Sequence, residues 1–296
     1  MGFLSKLFGS SAGSSGKGLD ELARRLNIDL PSLQKTPIEY RELRLPKKDG
    51  TSRTLHAPAD PLKTLQRTIL RRLLGRLSAH PAATGFERGQ SITTNAAPHL
   101  GAALLLKMDM RDFFTRTTAT RVRDYFIAIG WNKDVANFLV KLTTHNGGLP
   151  QGAPTSPRLS NLLNYQLDAR LFALATSFNA LYTRYADDMT FSLKTTDHER
   201  SHVASLITFT KEIIKEYGYT LHQDKKLQIR RRHDRMLVTG IVVNEKLNLP
   251  RDTRRKLRAV RHHLKTNRPA TMNESQLHGW DALRTMILNA NKPAKA

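Results

Sequence analysis

The adjacent aspartates Asp187 and Asp188 are the residues whose type and spacing are best suited to chemistry. They lie between two runs of β-prone residues in the segment 181–193, so we expect both carboxylates at a tight turn between two strands. Adjacent carboxylates repel each other, and a cation that both can reach reverses that balance. Mg²⁺ prefers carboxylate and phosphate oxygens, which suits such a turn. A solvated Asp-Asp turn is the alternative interpretation.

A third aspartate, Asp109, follows the apolar run 102–106, which predicts a buried central strand. A carboxylate at the end of a buried strand needs a partner or a metal ion, although a helix cap for the next segment is the alternative. One aspartate from this strand and two from a neighbouring hairpin would supply a two-metal site. Such a site activates a 3′-hydroxyl and stabilises the leaving pyrophosphate.

Hydrophobic spacing predicts the elements that must position these carboxylates. They are a helix from Leu19 that ends at Pro31, a β-hairpin over 38–45 and 53–56, helices over 62–77, 159–175 and 206–217, a hairpin over 237–249, and a basic helix over 251–266. Helices and strands mix without strict alternation, which predicts the α+β class.

The composition limits what kind of protein this is. Lys and Arg number 48 against 25 Asp and Glu, and the net charge of +23 favours a nucleic-acid partner over a merely cationic protein. The absence of cysteine excludes disulfides, thiolate zinc sites and cysteine nucleophiles, and it fits a reducing compartment. No apolar run approaches the roughly 20 residues of a membrane-spanning helix. We therefore expect a soluble, cytoplasmic protein without a membrane partner.

The positive charge is concentrated towards the end of the chain. Residues 225–268 contain 15 Lys or Arg and three acidic residues. One stripe of the predicted basic helix carries the cations Arg254, Arg258, Arg261 and Lys265. An apolar stripe lies beside it, so we expect one face of the helix to pack and the other to meet phosphate. A solvated charged face is the alternative, but acidic residues would normally intersperse such a face.

Three segments of the chain together resemble the motifs of reverse transcriptases. Tyr185 to Asp188 resembles the YxDD box, and Asp109 with the aromatic pair 113–114 resembles the first carboxylate motif. Between them, the segment 149–157 (LPQGAPTSP) resembles the loop that cradles the template and the incoming nucleotide. The resemblance implies a right-hand polymerase with fingers, palm and a short thumb. It also implies RNA-templated DNA synthesis with two Mg²⁺ ions held by Asp109, Asp187 and Asp188.

The same resemblance assigns further roles. Residues 45–50 with Arg53 resemble the fingers hairpin whose cations hold the triphosphate, although a solvated basic hairpin would have the same composition. The nucleotide-binding residues implied are Lys47, Arg53, Phe114, Gln151 and Gly152. Phe114 matches the aromatic residue that excludes a ribose 2′-hydroxyl, with a core phenylalanine as the alternative. Lys226 matches the lysine proposed as general acid to pyrophosphate, and Lys225 is equally available.

Two shorter segments resemble elements of retron reverse transcriptases. Residues 95–99 (NAAPH) match the NAxxH element, and residues 238–240 match the VTG element. Individually, His99 could be a satisfied cap and Thr239 an ordinary strand residue. The RNA- and primer-binding residues implied are Asn95, His99, Val238, Thr239 and Gly240, together with the four cations of the basic helix.

Resemblance to retrons also implies partners and a product. The partners are a cognate structured non-coding RNA, which is both template and primer, deoxynucleoside triphosphates and a separate effector protein. Extension from a guanosine 2′-hydroxyl would give a branched RNA–DNA hybrid (msDNA), in anti-phage defence within the bacterial cytoplasm. The rival hypotheses are another bacterial reverse transcriptase, of the group II intron or diversity-generating type, and a non-catalytic RNA-binding scaffold.

We predict four consecutive regions along the chain. They are a flexible leader over 1–18, an N-terminal helix and fingers over 19–100, a palm with part of the fingers over 101–245, and a basic thumb over 246–296. Few residues follow Gly240, so we expect neither a maturase or endonuclease domain nor a fused effector.

Overall fold

The computed structural model describes residues 16–46, 50, 52–195, 200–222 and 227–291. In chain order the elements are α1 (Leu19–Leu26), α2 (Leu30–Lys35), β1 (Tyr40–Pro46), β2 (Ser52–Pro58), α3 (Asp60–Arg72), α4 (Ile92–Ala96), β3 (Leu104–Asp109), α5 (Phe113–Arg116), α6 (Ala119–Ala128), α7 (Lys133–Thr143) and α8 (Ser156–Leu163). They continue with α9 (Tyr165–Ser177), β4 (Ala180–Tyr185), β5 (Asp188–Leu193), α10 (Arg200–Glu216), β6 (Gln228–Arg231), β7 (Leu237–Val238), β8 (Ile241–Val242), α11 (Arg251–Lys265) and α12 (Glu274–Ala290). Helices and strands mix, as the sequence predicted.

The chain forms two compact units that alternate along the sequence. The first unit comprises Met1–His80 and Asp112–Gln166, and the second unit comprises Pro81–Arg111 and Leu167–Ala296. All three predicted carboxylates belong to the second unit, whereas Phe114 and the segment 149–157 belong to the first. The predicted region boundaries at residues 100 and 245 divide the chain differently and stay a prediction.

The first unit packs helices around a leucine-rich core. Leu22 of α1, Leu62 of α3 and Leu139 of α7 are all fully buried in this cluster. The β1–β2 hairpin belongs to the same unit and pairs antiparallel from Tyr40 opposite Pro58 to Pro46 opposite Ser52. The hairpin therefore forms where the alternating sequence predicted it.

The second unit is built on a four-stranded sheet in the order β4-β5-β3-β6. Every neighbouring pair in it is antiparallel. Strand β3 is central and almost entirely buried, as its continuous apolar run predicted. A second apolar cluster joins α4, the β7–β8 hairpin, α11 and α12 through residues such as Val238, Ile241, Leu257 and Leu277.

Several predicted helices have different bounds in the structure: the predicted helices 62–77 and 206–217 are observed as α3 (Asp60–Arg72) and α10 (Arg200–Glu216). Helix α1 ends at Leu26, because Asn27 adopts a left-handed conformation (φ 56°) that caps it. Pro31, predicted to end that helix, instead lies in the first turn of α2, where its missing N–H is not needed. The predicted helix 159–175 is divided into α8 and α9 at Asn164, whose side-chain amide donates to the Ser160 carbonyl.

Helices α2, α4, α6, α7 and α12 and strand β6 were not predicted from the sequence. Helix α12 begins with a capping box, in which the Asn273 and Gln276 side chains each accept a hydrogen bond from the other residue's backbone N–H. Among the helices that the structure describes, none combines the length and apolar character needed to cross a membrane.

Candidate active site

The catalytic turn, defined here as residues 185–188, joins strands β4 and β5. Tyr185 pairs with Asp188 across the hairpin, so Ala186 and Asp187 are the two turn residues. Ala186 has a φ of 58°, in the left-handed region that a residue with a Cβ atom rarely adopts. Both aspartates are half-buried. The turn therefore forms at the predicted position and leaves each carboxylate partly accessible.

Strand β3 places Asp109 beside this turn. Asp109 is directly opposite Asp188 in the β3–β5 register, and the Met110 N–H donates to the Asp187 carbonyl at 3.0 Å. Directly opposite residues of an antiparallel pair lie on one face, with Cβ atoms about 4.5–5.5 Å apart. Asp109 is only 8% exposed. The sheet thus brings the ends of the two strands together, with a buried carboxylate facing a half-buried one.

His222 also lies at this strand end and was not singled out from the sequence. Its backbone N–H donates to the Asp109 carbonyl at 3.0 Å, and its Nε2 lies 3.6 Å from the Asp109 carboxylate. Within the described residues, no three His, Asp or Glu side chains form a group that could hold a metal ion. The three-aspartate metal site therefore stays a prediction. Its donors are all carboxylate oxygens, which is the ligand chemistry that Mg²⁺ prefers.

A fully buried ion pair lies beneath the catalytic turn. Arg184, in β4, donates from Nε and Nη2 to the two carboxylate oxygens of Asp168 at 2.7 and 2.6 Å. Tyr182 donates its hydroxyl to the same carboxylate at 2.9 Å. Burial alone would lower the pKa of Arg184, but the Asp168 carboxylate raises it overall. Burial, and secondarily the Asp168 charge, raises the pKa of Tyr182 well above its ordinary value.

Sequence reasoning missed this pair, although a signal was present. Asp168 occupies a buried position of α9, next to Leu167 and three residues before Leu171. An acidic residue within an apolar helical stripe requires a buried partner, because an isolated carboxylate is costly to remove from water. Which residue would be that partner depends on how α9 packs on the sheet, and the sequence pattern does not specify that packing.

The NAxxH element lies inside the second unit. Asn95 and His99 are 2% and 1% exposed. The Thr84 hydroxyl donates to the Asn95 side-chain oxygen at 2.6 Å. The two His99 ring nitrogens hydrogen-bond to the hydroxyls of Ser192 (2.7 Å) and Thr183 (2.8 Å). Burial lowers the pKa of His99 to about 4, so the ring is neutral at pH 7. The His99 contacts support strands β4 and β5. Direct RNA binding by Asn95 and His99 stays a prediction.

The VTG element forms the tight turn between β7 and β8. Thr239 and Gly240 both have positive φ, 46° and 83°, as a two-residue turn with the twist of its strands requires. Val238 is fully buried, whereas Gly240 is exposed. The Thr239 hydroxyl donates to the Ile92 carbonyl of α4 at 2.8 Å. The VTG turn is therefore bonded to the helix that carries Asn95, and RNA contact by the turn stays a prediction.

In the first unit, the predicted nucleotide-binding loop is joined to the β1–β2 hairpin. The His56 N–H of β2 donates to the Gln151 carbonyl at 2.8 Å. Gly152 has a φ of 120°, and a Cβ atom there would lie 3.2 Å from the His56 carbonyl oxygen. This close backbone approach explains a glycine at that position. Arg53 is exposed on the same strand as His56, and its nucleotide contact stays a prediction.

Phe114 is half-buried at the start of the short helix α5. Its ring centroid lies 5.5 Å from that of Phe113, which is buried in the unit. Part of the Phe114 ring is therefore accessible and part packs against the protein, so the structure is compatible with both interpretations of this residue. Lys47, Lys225 and Lys226 lie outside the described residues.

The basic stripe of α11 lines a cleft with α12. The cleft has a volume of about 320 Å³, and the arginines that line it are Arg254, Arg258, Arg261 and Arg284. Arg284 was missed because α12 was not predicted. Arg261 pairs with Asp281 of α12 at 2.5 Å, whereas Arg254, Arg258 and Lys265 are exposed. Apolar Leu257 and Val260 are buried, so the helix packs by one face as predicted.

The chain also matches known proteins over the segments described above. Residues 45–243, which include Asp109, Asp187 and Asp188, match the family model "Reverse transcriptase (RNA-dependent DNA polymerase)". The polymerase class is thus defined by the sheet with its aspartate-bearing strand ends and by this match. The class implies a palm and fingers fold.

Comparison with individual relatives shows which family within this class the chain belongs to. The chain is similar to the Retron Mx162 reverse transcriptase of Myxococcus xanthus, with 35% identity over 93% of this chain and 64% of the relative. It is 36% identical to the Retron Mx65 reverse transcriptase of the same organism, over 84% and 61% of the two chains. The Retron Ec86 reverse transcriptase of Escherichia coli is 34% identical, over 88% and 82%. The chain belongs to the family of retron reverse transcriptases, and it spans just under two thirds of the two Myxococcus relatives.

Proposed function

We propose that this protein is the RNA-directed DNA polymerase of a retron. The observation that carries the proposal is the pairing of Asp109 with Asp188 at adjacent strand ends, with Asp187 in the turn between β4 and β5. Placing carboxylates close together adds little to the stability of a fold unless a cation binds to them. The match to the reverse transcriptase family model over 45–243 supports the reading that this cation serves nucleotidyl transfer.

In this proposal Asp109, Asp187 and Asp188 hold two Mg²⁺ ions. Such ions activate the attacking hydroxyl and neutralise charge on the leaving pyrophosphate when they are bound. The protein's part is to present carboxylates from strands whose backbones are fixed by the sheet. The Met110–Asp187 hydrogen bond and the β3–β5 ladder keep the strand ends in register, which supports a metal site at this position.

We assign nucleotide binding to residues of the first unit. Lys47 and Arg53 would hold the triphosphate, and Gln151 and Gly152 would support the nucleotide from the loop that is bonded to the β1–β2 hairpin. The accessible part of the Phe114 ring would exclude a ribose 2′-hydroxyl. Lys226 would protonate the pyrophosphate, and Lys225 is the alternative for that role.

Helices α11 and α12 would act as a short thumb that binds RNA. The exposed cations of α11 and the arginine-lined cleft give this part of the second unit a high density of positive charge. Phosphate contacts by Lys and Arg supply most of the sequence-independent affinity for nucleic acid and make it salt-dependent. The VTG turn would contribute by holding the β7–β8 hairpin to α4, and Asn95 and His99 would contribute through their bonds to Thr84 and to strands β4 and β5.

Replacing Arg254, Arg258 and Lys265 by glutamine should weaken RNA binding and flatten its salt dependence. Each lost phosphate contact should reduce the slope of log affinity against log salt by about 0.7 to 0.9. Fluorescence anisotropy with a structured RNA hairpin over a salt series would measure the slope. Arg24 and Arg25 provide the control, because both are paired with Glu21 on α1 and their replacement should leave the slope unchanged. An unaltered slope in the triple variant would mean that the stripe only faces solvent.

We further propose that the template and primer are one cognate structured RNA. DNA would start from a guanosine 2′-hydroxyl of that RNA and give msDNA, in anti-phage defence with a separate effector protein. Support comes from the two elements at 95–99 and 238–240 and from relatives named as retron reverse transcriptases. A 2′-hydroxyl primer must enter the same metal site as a 3′-hydroxyl, so the RNA fold must present it to the aspartates. The cytoplasmic location stays a prediction.

Expression of the protein with its native flanking locus should yield single-stranded DNA attached to RNA through a 2′–5′ linkage. Debranching enzyme should separate the DNA from the RNA, whereas proteinase should not, and sequencing would identify the RNA and its branching nucleotide. The Asp187→Asn, Asp188→Asn variant is the control and should yield no DNA. DNA that starts from an ordinary 3′ end or from a protein hydroxyl would refute the retron product while leaving the polymerase activity intact.

A further inference from the structure

The buried Arg184–Asp168 pair has no part in the chemistry proposed above, yet it directly adjoins the catalytic turn. Both side chains are completely inaccessible to solvent. Two of the three guanidinium nitrogens bind Asp168, and the third, Nη1, donates to the Ala186 carbonyl at 2.9 Å. The guanidinium thus connects α9, through Asp168, to the backbone of the residue that precedes Asp187.

The carbonyl that Arg184 binds belongs to the strained residue of the turn. Ala186 has a φ of 58°, and residues with a Cβ atom hold this conformation only where their surroundings impose it. The direction of the Asp187 side chain depends on this dihedral angle, since Asp187 is the next residue. The hydrogen bond from Nη1 to the Ala186 carbonyl is therefore well placed to determine where the Asp187 carboxylate lies.

The backbone of Arg184 is fixed independently of its side chain. Its N–H donates to the Ala82 carbonyl at 2.7 Å, and its carbonyl accepts from the Thr84 N–H at 2.9 Å. A Cβ atom on Gly85 would lie 2.8 Å from the Ala186 nitrogen, so the segment 82–85 packs closely against the turn. The backbone of Arg184 is thus held by this segment, while its guanidinium bonds to Asp168 and to the Ala186 carbonyl.

Energetics argue that this pair does more than stabilise the fold. Removing two charges from water is costly, and a buried ion pair is often no more stabilising than apolar residues of similar volume. Unlike an apolar pair, an arginine–carboxylate pair fixes the directions of several hydrogen bonds at once. Here one of those directed bonds ends on the catalytic turn.

We propose that Arg184, held by Asp168, is a positioning residue that sets the geometry of the catalytic turn for metal binding. The proposal rests on the function assigned above, namely magnesium-dependent DNA synthesis at Asp109, Asp187 and Asp188. Arg184 touches neither substrate nor metal in this scheme. It fixes the Ala186 carbonyl, and through that residue the carboxylate of Asp187.

Arg184→Lys should preserve the buried charge but lose the planar group that binds Asp168 and Ala186 together. We expect primer extension to fall by about 10- to 100-fold, the usual effect of removing a partner that orients a metal ligand. The half-saturating Mg²⁺ concentration should rise, while the KM for the deoxynucleotide changes little. Asp168→Asn should have the same effects on primer extension and on the half-saturating Mg²⁺ concentration, because it weakens the interaction that holds the guanidinium group in place. Magnesium titrations of primer extension would measure the rate and the half-saturating Mg²⁺ concentration, and steady-state titrations of the deoxynucleotide would measure its KM.

Tyr182→Phe is the matched control, since it removes a hydrogen bond to Asp168 without affecting the bond from Arg184 to Ala186. It should leave the Mg²⁺ dependence as in the wild type. Thermal unfolding of all variants would show whether a loss of activity comes from lower stability of the fold or from altered geometry of the catalytic turn. A wild-type Mg²⁺ dependence in folded Arg184→Lys, or failure of both pair variants to fold, would overturn the positioning role. Absence of magnesium-dependent synthesis in the wild-type protein would instead refute the proposed function.

Discussion

Replacing Asp187 and Asp188 together by asparagine should abolish DNA synthesis while leaving the fold and the RNA affinity near wild type. Asparagine preserves the size of each side chain but removes the negative charge that a hard cation requires. A metal ion supplies several kcal/mol of transition-state stabilisation, and each 1.36 kcal/mol is tenfold in rate, so the loss should be roughly a thousandfold or more. Primer extension in Mg²⁺ would measure it.

The fold should tolerate the double change because both aspartates are half-buried at a turn and take no part in a hydrophobic cluster. Asp124→Asn is a suitable control, since Asp124 is an exposed aspartate paired with Arg123 in α6 and its loss should leave synthesis unchanged. Thermal unfolding and RNA binding would be compared for both variants. Primer extension by the double variant at a rate near wild type would show that the metal site lies elsewhere.

Phe114→Val should raise the incorporation of ribonucleotides relative to deoxynucleotides. A smaller side chain leaves room for the 2′-hydroxyl, and one steric contact is worth about 1–3 kcal/mol, or roughly 10- to 200-fold in selectivity. Competition between the two nucleotide types in single-turnover extension would measure the ratio. The half-buried position of Phe114 is compatible with this role, because part of the ring remains accessible.

Phe113→Val provides a closely matched control for that experiment. Phe113 is the neighbouring ring, 5.5 Å away, and it is buried. Its truncation should lower the free energy of unfolding by about 1–3 kcal/mol without changing the selectivity. If Phe114→Val behaves in the same way as Phe113→Val, then Phe114 belongs to the core and another residue discriminates the sugar.

The sequence predicted those parts of the site that depend on neighbouring residues. A strand, a two-residue turn and a second strand around Asp187 can be recognised from alternating β-prone residues, and so can the apolar strand that precedes Asp109. The antiparallel register that places Asp109 opposite Asp188 joins segments far apart in the chain. The resemblance to a family suggested that these segments meet, whereas the hydrophobic pattern alone did not.

Burial of polar residues was the part that the sequence did not reveal. Asn95 and His99 were predicted to bind RNA, yet their side chains are inside the second unit and bonded to hydroxyl groups of the protein. Asp168 and Arg184 are 16 residues apart and were not connected with each other. The sequence of a short motif is the same whether its polar residue contacts a ligand or a buried hydroxyl group. Only tertiary packing distinguishes the two cases.

The alternation of the two units along the chain has a consequence for biosynthesis. Strand β3 is complete at Asp109, but its partner β5 begins about 80 residues later, at Asp188. At 5–20 residues per second, the ribosome needs roughly 4–16 s for that interval, during which the apolar strand has no sheet to join. The segment Asp112–Gln166 of the first unit emerges in the meantime. Folding of the second unit must therefore await late residues, and the nascent chain carries an aggregation-prone strand until they arrive.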